Sequence, residues 1–230
     1  AAAVQARKKK VLVVDMDPQG NCTSGMGVDK NSAAPNVYNV LVDGTPVREA
    51  VKVTPYGDVL PANKELSGAG IELVTMADRE YILKNALARV SADYDYVLID
   101  CPPSLEMLTL NALCAADTIL IPVQCEYFAL EGLSDLITTI RMVKKKLNRT
   151  IEIEGVLLTM YDARTNFSAQ VAAEVKRFFK EKVYNVVIPR NVRLSEAPSH
   201  GKPVIAYEKS SKGAVAYLEL GRELLKRNAH

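Results

Sequence analysis

Residues 11–25 read VLVVDMDPQGNCTSG. Four apolar residues, three of them β-branched, run into Asp15, and Pro18, Gln19 and Gly20 then break the pattern. A short apolar run of this kind, without polar alternation, suits a strand covered on both faces, as in a parallel sheet. In open α/β sheets, ligands bind beyond the carboxyl ends of the strands, which is where Asp15 and Asp17 fall. If the chain stays extended there, the two carboxylates point the same way, roughly 6.5 Å apart.

The rest of the sequence repeats the theme. YVLID (Tyr96 to Asp100), TILIPV (Thr118 to Val123) and IEGVLLTM (Ile153 to Met160) are further candidate buried strands, and VYNVVIP (Val183 to Pro189) is a shorter fifth. Helical patterns lie between them. Asp78 can cap REYILKNALARV, with Ile82, Leu83, Ala86, Leu87 and Val90 on one stripe. Phe167, Val171, Val175, Phe178 and Phe179 recur at helical spacing, a long pattern runs from about Leu130 to Leu147, and Ser211 to Lys226 carries Val215, Leu218 and Leu225 near one face. Residues 29–75 are less regular and hold short helices, with a strand pair near Val51 and Val59. The alternation predicts an α/β fold, a mostly parallel twisted sheet with helices on both faces, in a single domain over residues 1–230.

Composition narrows the function classes. The 230 residues are 48% hydrophobic and 24% charged, with no Trp and a net charge of +2, so binding to a polyanion would need a local basic face rather than overall charge. The four cysteines form no C-x-x-C and only two His are present, which argues against zinc and for a reduced, cytoplasmic chain. No apolar stretch approaches the roughly 20 residues of a membrane span.

Asp100, like Asp15, ends an apolar run and is followed by Pro. One Asp at a strand end is ordinarily a turn former. Two such ends, with Asp17 beside the first, suit a hydrated Mg²⁺ and a water nucleophile in nucleotide hydrolysis, since Mg²⁺ takes few carboxylates plus substrate phosphates. That chemistry needs a phosphate cradle. The nearest approach to G-x-x-x-x-G-K-[ST] is Gly20 to Gly27, where Met26 stands in the lysine position, so it is rejected. The opening AAAVQARKKK reads as the last turns of a helix with a basic end. A P-loop would precede such a helix, so the first strand and the cradle are expected upstream of Ala1.

VLVVDMDPQGNCTSGMG, YDYVLIDCPPSL, IPVQCEYFALEGL, LLTMYDARTN and IPRNVRLSEAPSHGKPV, in this order, resemble the ParA/Soj chromosome-partitioning ATPases, deviant P-loop ATPases related to MinD. The resemblance implies an ATP- and Mg²⁺-dependent ATPase. It places Asp17 at the attacking water, Asp15 in support of the phosphate-loop region, and Asp100 on Mg²⁺ through water. Pro189, Arg190 and Asn191 of IPRN would hold the adenine end of the nucleotide. Arg164 and Arg193 match positions that touch DNA; both are expected in loops after strands, near other bases such as Arg190. The implied partners are non-specific double-stranded DNA, a second copy of the chain joined by ATP, and a ParB-type protein that stimulates hydrolysis, at the nucleoid in the cytoplasm.

Three rivals stand beside this reading. A phospho-receiver also clusters acids at strand ends, but its third acid comes earlier in the chain. A MinD-like membrane ATPase needs a C-terminal amphipathic anchor, whereas GAVAYLELGRELLKRNAH mixes acids into the helix and reads as core-packing. The chain could also be a non-enzymatic remnant that serves as an interaction module.

Overall fold

A computed structural model describes residues 1–126 and 129–229, and of residues 129–131 the backbone only. Tyr127 and Phe128 of the IPVQCEYFALEGL motif and His230 lie outside the described residues, as do the side chains at the start of the long helical pattern. The chain divides into two compact units, residues 1–116 with 197–203, and residues 117–196 with 204–230.

In the first unit, β1 (Val11–Asp15) lies between β2 (Asp58–Leu60) and β3 (Tyr96–Asp100), all parallel. Every residue of β1 is buried, as its unbroken apolar run requires. Leu12, Val14 and Met16 pack with Leu60, Leu66, Leu83 and Leu87 into a core of aliphatic side chains. The expected strand pair near Val51 and Val59 is present as an antiparallel bridge between Lys52 and Val59. Asp78 does not cap the next helix, which spans Ile82–Leu87 with Tyr81 at its cap position. Asp78 has φ 50°, a left-handed conformation, and its carbonyl accepts from Tyr81 N–H in a turn that delays the helix.

The second unit is built on β4 (Thr118–Gln124) parallel to β5 (Glu152–Thr159). Helices Ala129–Lys146 and Asn166–Phe179 enclose a core with Ile121, Val123, Ile137, Val156, Leu158, Val171 and Val175. Thr165 caps the second of these helices, accepting from Ser168 N–H. Its stripe differs from the expected one: Phe179 is buried, but Phe178 is 68% exposed. Val215 is likewise exposed on the last helix, Lys212–Arg227, whose Leu220 packs on Leu157, Tyr184 and Ile188.

Two further expectations are corrected. VYNVVIP is not a continuous strand; it makes isolated parallel bridges, Val183 to Val156 of β5 and Pro189 to Tyr161 just beyond it. Tyr184 and Ile188 N–H donate to Val156 and Leu158 C=O of β5, whereas Val186 N–H between them goes to the Glu223 carboxylate at 3.0 Å, which also takes Asn185 N–H at 2.9 Å. Nor are β3 and β4 fully buried: β3 is half-buried and ends exposed, and β4 alternates exposed with buried residues. Each has one strand neighbour among the described residues.

Candidate functional site

Parallel pairing puts Asp15 directly beside Asp100, with Met16 N–H donating to Asp100 C=O at 2.8 Å. The strand ends thus bring Asp15, Asp17 and Asp100 together at one end of the first unit. They serve different purposes. Asp15 is fully buried. Its Oδ1 accepts from Asp17 N–H at 3.1 Å, and its Oδ2 accepts from Thr23 N–H at 2.8 Å and from Thr23 Oγ1 at 2.7 Å. Burial raises its pKa, opposed by those hydrogen bonds with Thr23 and Asp17. Asp17 is half-buried, and its Oδ1 accepts from Gln19 N–H at 2.9 Å. The two carboxylates therefore have different partners.

Asp100 reaches solvent, yet the protein atoms crowded around it, and then the Asp15 and Asp17 charges, push its pKa up to about 6. The helix Asn21–Gly25 lies against this cluster: burial, then Asp100 and Asp15, raise the Cys22 thiol pKa well above its usual value. Gly20, at the cap position of that helix, has φ 61°, and a Cβ there would meet Ala62 C=O at 2.7 Å, so only glycine fits. Among the described residues no three His, Cys, Asp or Glu side chains are grouped to hold a metal. A divalent cation at Asp100 would have to complete its shell with water and phosphate oxygens, which is how Mg²⁺ is ordinarily held.

The raised pKa has a thermodynamic consequence. Between the ordinary value of 3.8 and about 6, the folded protein binds more protons at Asp100 than the unfolded chain does. Stability then falls as pH rises through that window and stays reduced above it. Asp100→Asn is expected to melt at a higher temperature than the wild type at about pH 7.5, with the gap shrinking toward about pH 4. Thermal melts without divalent cations check this; a gap that does not change with pH would show that Asp100 is not strained in the fold.

The remaining sequence candidates fall in the second unit. Arg164 lies in the turn after β5, as expected, 87% exposed and held by Asp162 through Nε and Nη2 at 2.9 and 2.7 Å. This bidentate partner holds the Asp162 carboxyl far below the usual range. Arg193 is not in a loop: it belongs to the short helix Val192–Glu196, with its own N–H on Asn191 Oδ1 and its Nη1 2.7 Å from Glu196 Oε2. Arg190 reaches Glu126 at 3.2 Å, and Pro189 bridges Tyr161. Arg190, Asp162, Glu126, Met160 and Phe167 line an open depression of about 380 Å³ beyond the carboxyl ends of β4 and β5. The sequence placed Arg164 after a strand but put Arg193 in a loop, gave no sign of their carboxylate partners, and did not single out Thr23 or Ala62. Gly20, a glycine opening a turn straight after the acids, was the only signal near them.

Parallel strands carrying acids at their carboxyl ends, flanked by helices, make an α/β fold, and its match to solved structures places it with the P-loop NTPase-like folds. Cobyrinic acid a,c-diamide synthase from Mycobacterium smegmatis, solved with a bound ATP analog and magnesium, superposes with a TM-score of 0.86 at 37% identity, covering 99% of this chain and 86% of that one. The chain belongs to the ParA/Soj family of chromosome-partitioning ATPases. Residues 1–153 match the family described as AAA domain. The sporulation initiation inhibitor protein Soj of Bacillus subtilis is 58% identical over 218 residues, 94% of this chain and 86% of that protein. The chromosome partitioning protein ParA of Myxococcus xanthus is 51% identical over 230 residues, 99% of this chain and 81% of that protein.

Proposed function

We propose that the protein works as an ATP-driven partitioning switch that holds DNA without sequence preference, as an ATP-joined homodimer, and is turned over by a ParB-type partner at the nucleoid in the cytoplasm. The observation that carries the reading is the pairing of Asp15 with Asp100 at adjoining strand ends, with Asp17 two residues on. Bound Mg²⁺ and ATP would supply the phosphoanhydride and the charge neutralisation for its cleavage. Asp100 would hold the cation through water, consistent with its open carboxylate. Asp17 would orient the attacking water, and Asp15 would fix the turn that carries Asp17. Pro189, Arg190 and Asn191 would hold the adenine end. The MinD-like membrane alternative gains no support from the last helix, which packs Leu220 into the second unit's core. Among the described residues no helix is long and apolar enough to cross a membrane.

Arg164 and Arg193 would supply the DNA contacts. Each is ion-paired within the chain, but solvent-exposed pairs are weak and screened, so a backbone phosphate can displace the carboxylate. Net charge is +2, so affinity must come from these local groups, doubled when two subunits meet. Log affinity falls with log salt by about 0.9 per phosphate contact. Arg193→Ala should weaken two unrelated duplexes equally and flatten that slope, while leaving ATP binding alone; Arg164→Ala should do the same. Affinities measured at several salt concentrations, with and without ATP, test the proposal. A strong preference for one duplex, binding that ignores ATP, or unchanged slopes in both variants would overturn it.

A further inference from the structure

The helix that follows the acidic turn contains a buried hydroxyl that the mechanism has not used. Thr23 is fully buried. Its Oγ1 accepts from Ala62 N–H at 2.9 Å, and it donates its own hydrogen to Asp15 Oδ2 at 2.7 Å. Thr23 N–H reaches the same Asp15 oxygen at 2.8 Å, while the other Asp15 oxygen holds Asp17 N–H at 3.1 Å. A hydroxyl has one hydrogen, so the direction of this relay is fixed: Ala62 N–H to Thr23, Thr23 O–H to Asp15, and Asp17 N–H to Asp15 from the other side. Three donors, Asp17 N–H, Thr23 N–H and Thr23 O–H, end on Asp15, which meets each as an acceptor.

We infer that Thr23 is a positioning residue for hydrolysis: through Asp15 it fixes the backbone at Asp17, and it ties that turn to the segment following β2. The inference rests on the reading of Asp17 as the acid that orients water. A second contact joins the same two segments. The αL backbone of Gly20 lies so close to Ala62 C=O that any side chain would collide with it. The turn carrying Asp17 is thus clamped at both ends, by the Thr23 hydroxyl and by the Gly20 approach. Valine has the shape of threonine without the hydroxyl, so Thr23→Val leaves Ala62 N–H unpaired and removes one donor from Asp15 while filling the same space. Serine keeps the hydroxyl and loses only a methyl.

In protein that carries the family's phosphate loop, Thr23→Val should lower kcat about 10- to 100-fold with little change in KM, because a small misplacement of a positioning group costs rate rather than binding. Thr23→Ser should recover most of the turnover. A valine variant with wild-type kcat, or a serine variant as slow as valine, would overturn the inference. Should Thr23→Val fail to fold, the wild-type chain still decides: the amide hydrogens of Asp17, Thr23 and Ala62 should exchange slowly, and exchange as fast as in exposed turns would overturn it. Asp17→Ala separates the two readings. If it hydrolyses ATP normally, the assignment of Asp17 fails; if it is inactive while Thr23→Val is normal, only the role of Thr23 fails.

Discussion

In protein carrying the phosphate loop of its family, Asp17→Ala is expected to bind ATP with little loss of affinity and to hydrolyse it about 10²- to 10⁴-fold more slowly, the range spanned by a positioned acid–base group. Asp17 is half-buried and spends one carboxylate oxygen on Gln19 N–H, which fixes its direction without tying it to the core. The fold does not depend on it in the way it depends on Asp15, which is enclosed and meets three donors. Removing Asp17 should therefore cost rate and not structure. Single-turnover hydrolysis beside equilibrium nucleotide binding separates the two effects. Loss of ATP binding in step with loss of rate would show that Asp17 holds the nucleotide, and the assigned role would be wrong.

Gly155→Ala is expected to destabilise the second unit by about 3 kcal/mol, the upper part of the range for overpacked cores. Gly155 sits where the register between β4 and β5 slips by one residue, opposite Leu120. A methyl group there would lie 2.6 Å from the Tyr184 ring and 2.7 Å from Lys182 C=O. The ring has no room to retreat. It is 1% exposed, its hydroxyl donates to Glu154 at 2.9 Å, and the Arg227 guanidinium lies over its face at 4.0 Å. Urea unfolding of Gly155→Ala and of Gly155→Ala with Tyr184→Leu would locate the strain. If the collision with the ring is the cause, the double variant should lose less than the two single variants together. Strictly additive losses would place the cause elsewhere.

The sequence exposed the fold where chemistry is local and periodic. Residues 11–14 had to be a buried strand because nothing polar interrupts them before Asp15, and the helices Asn166–Phe179 and Lys212–Arg227 followed from spacing. It misled where a distant residue decides. The segment from Val183 to Pro189 has strand composition, but Glu223, 37 residues from Val186, takes the N–H that would otherwise face β5. Asp78 has the right side chain for a helix cap and the wrong backbone angle. In the site, the acids were legible because strand ends are legible. Thr23 was not, because its partner Ala62 is 39 residues away and a threonine in a turn ordinarily faces water. The counterions of Arg164 and Arg193 are only two and three residues off, yet charge spacing alone does not say that a carboxylate will fold back onto its neighbour.

Among the described residues β3 and β4 each have a strand partner on one side only, which makes any pairing on the other side a question of concentration. A strand paired on one side does not distinguish, on the other, between an extended segment of its own chain and one of another molecule. Pairing within a chain is first order and indifferent to dilution, whereas pairing between chains is second order and grows as molecules crowd together. Whichever segment reaches these edges at the higher effective concentration will occupy them, so a tethered strand would protect the sheet from its neighbours simply by being always present.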